Sequence, residues 1–343
     1  MEPLPATRTT PPAGAVPTGM DAMPQTALRP RARLALPAAA AGVAALVLLS
    51  LFVGAYDLTA DAFGAEMFAI SRVPRTTALV LAGCAMAVSG LIMQLLTQNR
   101  FVEPSTTGTS EWAALGLLLT VLLVPSAPLW VRMVAASVAA FAGTMVFLGI
   151  LRRISLRSSL VVPLIGIMLG SVVSAFTTYL AVSTNSLQML GTWFMGSFTS
   201  IVRGRFEVLW IVAIVVLLVF FYADRITVAG LGRDVATAVG VDHARVLLVG
   251  TALVAVATGV TTVVVGFLPF LGLVVPNLVS MWRGDDARSN LPWVCLGGVA
   301  IVVACDILGR VVRMPFEVPV SMILGVVGSV VFIALLLRMR PRG

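Results

Sequence analysis

The chain has 343 residues, of which 59% are hydrophobic and only 11% charged, with a formal net charge of +8. Soluble domains carry about 25% charged residues, so this chain cannot cover itself in water, and its mean hydropathy of +1.03 agrees. Every basic residue is arginine. Without lysine there is no P-loop for ATP and no Schiff-base chemistry.

A single histidine, His243, excludes a histidine-rich metal site, and Cys84, Cys295 and Cys305 lie in apolar segments without CxxC spacing. Neither a metal nor a cofactor is expected. The sequence pI of 10.8 raises the question of nucleic acid. The arginines are dispersed among loops, however, which suits orientation in a membrane and predicts no nucleic-acid partner.

An apolar helix of about 20 residues crosses a hydrocarbon core of about 30 Å, and open strands would leave backbone groups unpaired in lipid. The expected fold is therefore an all-α polytopic membrane protein. In chain order, residues 1–35 are rich in proline and close on Arg29, Arg31 and Arg33, which predicts a disordered cytoplasmic tail. The transmembrane remainder runs from 36 to 340. Its first apolar run, Leu36–Tyr56, has signal-peptide features, but its length and the lack of a clean small-x-small site favour a retained span.

Ten spans fit the pattern: 36–56, 74–96, 108–124, 129–151, 160–182, 206–222, 245–265, 268–282, 291–308 and 318–337. The eighth is short and holds Pro269 and Pro276, so its start is expected to be irregular. A short amphipathic helix is predicted at 186–197. With both termini in the cytoplasm, sixteen arginines fall inside and seven outside, as the positive-inside rule demands.

Charges at the ends of spans carry the functional reading. Arg72 and Arg75 open the second span, and Arg310 and Arg313 close the ninth, all on the predicted outer face. Snorkelling anchors and a docking surface for an acidic partner both fit, because guanidinium groups pair carboxylates bidentately. Asp306, four residues before Arg310, sits on the same helix face and is positioned to hold it.

On the inner side, residues 223–243 are too polar to span. Gly230 and Gly232 break the chain, Asp234 takes a first-turn position, and Gly240 ends a short helix. Val235, Ala236 and Val239 then form a small apolar face suited to a groove on another protein, although a plain connector fits too. Ser158 and Ser159 start the fifth span, and Gln94 and Asn99 close the second. Each suits either a gate or pathway role or simple capping. Asp306 is counted as the only intramembrane carboxylate, and no HExxH, GxSxG or paired-aspartate site supports an enzyme.

Taken together these residues resemble the permease family of bacterial ABC importers for iron–siderophore complexes, haem and vitamin B12. The carriers are Arg72-Val73-Pro74-Arg75, Ser89-Gly90 with Gln94, Asn99 to Gly108 with Glu103-Pro104, and Leu231-Gly232 through Gly240. Further along come Gly266-Phe267, Gly272-Leu273-Val274-Val275-Pro276, Asp306 with Arg310, and Glu317-Val318-Pro319.

The resemblance implies a ten-span subunit of a type II importer in a bacterial inner membrane, paired with itself or with a sister permease. Its partners would be two cytoplasmic ATP-binding subunits and an extracytoplasmic siderophore-binding protein, with membrane lipid around it. It implies docking of the binding protein at Arg72, Arg75 and Arg310. It implies ATPase coupling through Leu231, Gly232, Arg233, Asp234, Val235, Ala236, Val239 and Gly240, and an inner gate near Ser158 and Ser159. Asn277 stands where many members have histidine, which resembles a siderophore-type branch rather than one handling vitamin B12.

Overall fold

The computed structural model describes residues 30–54, 64–153, 160–314 and 316–338, with side chains for 35–54, 66–153, 160–314 and 316–337. Among them there is no strand. The helices are α1 (Pro30–Phe52), α2 (Gly64–Met67), α3 (Val73–Leu96), α4 (Thr109–Leu123), α5 (Leu129–Leu151), α6 (Val161–Ser183) and α7 (Leu187–Phe194). After these come α8 (Trp210–Gly230), α9 (Arg233–Ala238), α10 (His243–Val264), α11 (Leu271–Arg283), α12 (Ala287–Val311) and α13 (Val320–Arg338). A π turn (Phe68–Arg72) leads α2 into α3.

Each of the ten predicted spans corresponds to one of these helices. Eight are long and apolar enough to cross a membrane by length and composition. The exceptions are α4, with 15 residues, and α11, with 13. Both begin beside positive-φ residues, Gly108 at 78° and Phe270 at 63°, and their first residues, Thr109 and Leu271, are fully buried, so each starts inside the bundle. The irregular entry expected for the eighth span is the segment 266–270 ahead of α11.

Three boundaries differ from expectation. Helix α1 begins at Pro30, inside the predicted tail; residues 1–29 lie outside the described residues. The amphipathic helix α7 is shorter than predicted. Helix α8 runs eight residues past the predicted end at 222 and turns the first third of the expected loop into helix. Ala223, Ile226 and Ala229 are buried and continue its inward stripe. Asp224 and Arg225 stay exposed, where Asp224 pairs with Arg288 and Arg225 lies over the Tyr222 ring.

Helix α3 is the axis of the bundle. Of its most apolar window 78% is buried, against 6% for α1, and it packs against α8, α10, α11 and α12. Small residues permit this, since little hydrophobic force draws helices together in lipid and backbones must approach closely. A Cβ at Gly90 would lie 1.8 Å from the Gly272 carbonyl oxygen of α11, and one at Gly83 would lie 2.9 Å from that of Gly298 in α12. A 24-residue helix spans about 36 Å at 1.5 Å per residue. Thus α3 separates an end carrying Arg72 and Arg75 from an end where Gln98 donates to the Gly230 carbonyl beside α9.

Candidate functional site

At the Arg75 end, the three predicted docking arginines come together. Arg75 donates through Nη2 and Nε to Asp306 Oδ1 at 2.7 and 3.1 Å, and its Nη1 reaches both Glu317 oxygens at 2.9 Å. Arg310 Nη2 lies 2.6 Å from Asp306 Oδ2, an ion pair whose alignment falls short of a hydrogen bond. This is the (i, i+4) pair read from the sequence. Arg310 also donates to the Ser50 carbonyl at 2.9 Å and to the Ser50 hydroxyl at 2.6 Å. Arg72 and Arg310 both donate to the Val53 carbonyl at the end of α1.

Three guanidinium groups therefore share two carboxylates and the C-terminal carbonyls of a helix, where cations are favoured. Burial is deep: Asp306 is 1% exposed, Arg310 3% and Arg72 9%. At the rim, burial alone would raise the Glu317 carboxyl. The Thr199 hydroxyl, at 2.6 Å, and the Arg75 guanidinium outweigh it and hold that carboxyl below its ordinary value. Arg203, Arg205 and Arg313 are exposed.

At the opposite end, Gly232 takes a φ of 108°, which favours glycine, and turns the chain from α8 into α9. The Asp234 side chain occupies the first turn, where a negative charge suits the helix dipole. Gly240, at a φ of 79°, closes the element, and Asp242 caps α10 by accepting from Arg245 N at 3.1 Å. The predicted apolar face is split. Ala236 points inward and is fully buried, whereas Leu231, Val235 and Val239 are 63%, 44% and 63% exposed. Arg233, Asp234 and Gly240 are exposed with them. The knob is thus Leu231–Val235–Val239, with Ala236 as the packing contact beneath it.

Of the predicted gate residues, Ser158 and Ser159 lie outside the described residues. Gln94 is buried between α3 and α11, where its Nε2 donates to the Gly272 and Leu273 carbonyls at 3.2 and 3.5 Å. Asn277, the departure noted in the sequence, donates to the Arg100 carbonyl at 2.7 Å and the Leu273 carbonyl at 2.8 Å.

Two carboxyls escaped the sequence reading, and both correct the count that gave Asp306 alone. Glu103 is 1% exposed and accepts from Phe270 N at 2.9 Å and from the Ser105 hydroxyl. It caps the broken helix α11 from the loop 97–108. Glu111 stands in the first turn of α4. For Glu111 the only sequence signal was an acidic residue close to a strongly apolar run, whereas Glu103 stood among the residues that carry the family resemblance but not as a buried carboxyl. Among the described residues, no group of three or more His, Cys, Asp or Glu could hold a metal ion.

A bundle of apolar, membrane-length helices with a buried charge cluster at one end and an exposed apolar knob at the other defines a polytopic membrane protein. The FecCD transport family model matches residues 42–338, so the chain belongs to that family of ABC importer permeases. It is 58% identical over 298 residues to the petrobactin import system permease protein FatD of Bacillus anthracis, covering 87% of this chain and 89% of that one. The petrobactin import permease YclN of Bacillus subtilis is 40% identical, covering 85% and 95%. The ferric-anguibactin permease FatD of Vibrio anguillarum is 41% identical, covering 78% and 85%. In structure the chain matches a metal-chelate type ABC transporter solved in an inward-facing conformation. The TM-score is 0.76 over 89% of this chain and 99% of that one, at 22% identity, which supports the fold.

Proposed function

We propose that this chain is the membrane permease of an ATP-driven importer of iron–siderophore complexes, working by alternating access in the bacterial inner membrane. In this reading the chain pairs with a second permease, identical or sister, and both termini are cytoplasmic. Two ATP-binding subunits grip α9 of each permease, and a loaded binding protein docks at the Arg75 end. The observation that carries the proposal is α9. An apolar triad stands exposed, with Val235 on a six-residue helix and Leu231 and Val239 just before and after it; Ala236 fixes the helix from below and the positive-φ glycines Gly232 and Gly240 bound it. A rigid apolar knob of this kind suits a groove on a soluble partner. The siderophore cargo is supported by the relatives named for petrobactin and anguibactin import, which match more closely than the vitamin B12 permease of Klebsiella pneumoniae at 33%.

Docking at Arg72, Arg75 and Arg310 acquires a mechanism from the geometry. A partner carboxylate must compete with Glu317 for Arg75, whereas Arg72 and Arg310, buried behind it, set the local field. Gln94 belongs to the pathway in this reading as the residue that ties α3 to α11 and must release if the two separate.

The test is uptake into proteoliposomes. The permease, its partner ATPase and its binding protein should accumulate radioactive iron-loaded petrobactin only with ATP inside the ATPase compartment. Uptake that persists without the ATPase would instead support a secondary carrier. For the docking role, Arg75→Gln should weaken binding-protein affinity, and more so at low ionic strength. An unchanged affinity removes Arg75 from the docking surface.

A further inference from the structure

The loop between α11 and α12, at the α9 end of the bundle, spends almost all of its charge within the fold. Asp285 accepts from Arg100 Nη2 and from the Ser280 hydroxyl, both at 2.7 Å. Asp286 caps α12 by accepting from Ser289 N at 3.0 Å, and Arg288 pairs with Asp224. Arg283 is the exception. It is exposed, and among the described residues it has neither a carboxylate nor a hydrogen-bond acceptor as partner.

What holds Arg283 is aromatic. Its guanidinium lies 5.9 Å from the centre of the Trp282 ring and 5.3 Å from that of Trp293. The two indoles meet edge to face, with centroids 4.9 Å apart and planes at 89°, so they form a corner that joins the end of α11 to the start of α12. Among the described arginines no other lies over two rings. Aromatic faces attract a guanidinium without using its N–H donors, so the fork is oriented and still unspent. Gly284, at a φ of 87°, turns the chain immediately after it.

An apolar stripe adjoins the corner. Leu278, Met281 and Trp282 are exposed and fall at i, i+3 and i+4, on one face of α11. Leu278 lies about 7 Å along the helix axis from Arg283, toward the middle of the span. Apolar surface at that depth is out of reach of a water-soluble partner and within reach of an acyl chain. Indole rings and a snorkelling arginine at the end of an apolar helix are the residues that settle at headgroup level. A second copy of the chain presenting this same patch would bring no free carboxylate to Arg283, because Asp285, Asp286 and Asp224 are already engaged.

We propose that this corner binds an anionic lipid, with a phosphodiester headgroup on the Arg283 fork and an acyl chain along Met281 and Leu278. Guanidinium groups pair phosphate oxygens bidentately, which fixes orientation as well as adding energy. The bound lipid bridges α11 and α12 and braces the outer end of a helix whose first residue is buried inside the bundle. With both termini cytoplasmic, as proposed above, the lipid belongs to the inner leaflet. The site itself requires only a membrane surface at this end, and it is independent of the cargo and of the ATPase.

The test uses the full chain in detergent with equal amounts of phosphatidylglycerol and phosphatidylcholine of matched acyl chains. Native mass spectrometry reads the ratio of the two lipids retained, and the wild type should retain phosphatidylglycerol preferentially. Arg283→Gln should cut that preference about fivefold, the factor that one basic residue near an anionic surface supplies, with its unfolding temperature in phosphatidylcholine unchanged. Trp293→Leu should cut it less, because the charge remains and only its orientation is lost. Arg225→Gln, which removes an exposed arginine at the same end that lies over a single ring, should leave the preference as it is. An unchanged preference in Arg283→Gln overturns the assignment. So does an equal loss in Arg225→Gln, which would make the effect one of general surface charge. If Arg283→Gln keeps the lipid preference but loses co-purification of the ATPase or of a second permease, the corner is a protein contact and the lipid site falls.

Discussion

The two ends of the bundle solve opposite problems. At the Arg75 end, charge is drawn inward: Asp306 and Arg310 are almost fully buried, with Arg75 and Glu317 closing over them. At the α9 end, apolar side chains are pushed outward, and the charges around them form exposed pairs such as Arg100 with Asp285 at 2.7 Å and Arg288 with Asp224. Exposed pairs contribute about 0–1 kcal/mol each, so α9 gains little from its charged neighbours. It is held instead by backbone geometry and by Ala236. The difference teaches where each end is vulnerable. One depends on charge neutrality inside, the other on a short piece of chain keeping its shape.

The largest effect should come from breaking neutrality. Asp306→Ala leaves Arg310 buried with only Ser50 and Val53 as partners and takes one of Arg75's two carboxylates. Removing one member of a buried pair costs about 3–5 kcal/mol. Thermal unfolding of the purified protein in detergent should show a large loss of stability, or the variant should fail to accumulate in the membrane. Wild-type stability would mean that the cluster is a surface network after all. Arg313→Ala, whose side chain is exposed beside the Phe316 ring, should be close to neutral in the same assay.

The α9 end predicts a split between two adjacent residues. Ala236→Asp buries an unpaired carboxylate and should disorder α9, seen as new protease cleavage between Gly230 and Val241. Val235→Asp changes only the exposed knob. It should leave the protease pattern and stability unchanged and abolish co-purification of the ATPase. If both variants lose the ATPase with identical protease patterns, Ala236 is itself a partner contact and the inward assignment is wrong.

The sequence made the spans legible because each is an apolar run suited to lipid whichever part of it faces the bundle, and the arginine distribution alone predicts a topology. The α9 element was legible for a different reason: Gly230, Gly232 and Gly240 punctuate a stretch too polar to cross a membrane. What stayed hidden was tertiary. Asp306 and Glu317 close on Arg75 from 231 and 242 residues away, so no local pattern shows that the docking arginines are already paired. Ala236 is less apolar than Val235 yet is the one buried, so only packing against the helices around it decides that one faces in and the other out. Glu111 looks like an ordinary first-turn acid until the loop before it re-enters the bundle, and re-entry is fixed by Gly166 and Gly170 some sixty residues later.

The smallest effect returns to the rim of the charged end. Because the folded protein holds Glu317 below its ordinary value, the stability this carboxylate contributes is fully present above the unfolded pKa of about 4.3. It is lost as pH falls through the lower folded value. Glu317→Gln should therefore lower stability slightly at neutral pH, by under about 1 kcal/mol for a partly exposed pair. The gap between variant and wild type should close in acid, as the wild type loses the same interaction by protonation. Unfolding curves of the two proteins at stepped pH values check this. A gap that stays constant into acid would show that Glu317 acts through its contact with Thr199 and packing rather than through its charge, and would leave Arg75 available to an incoming carboxylate at no electrostatic cost.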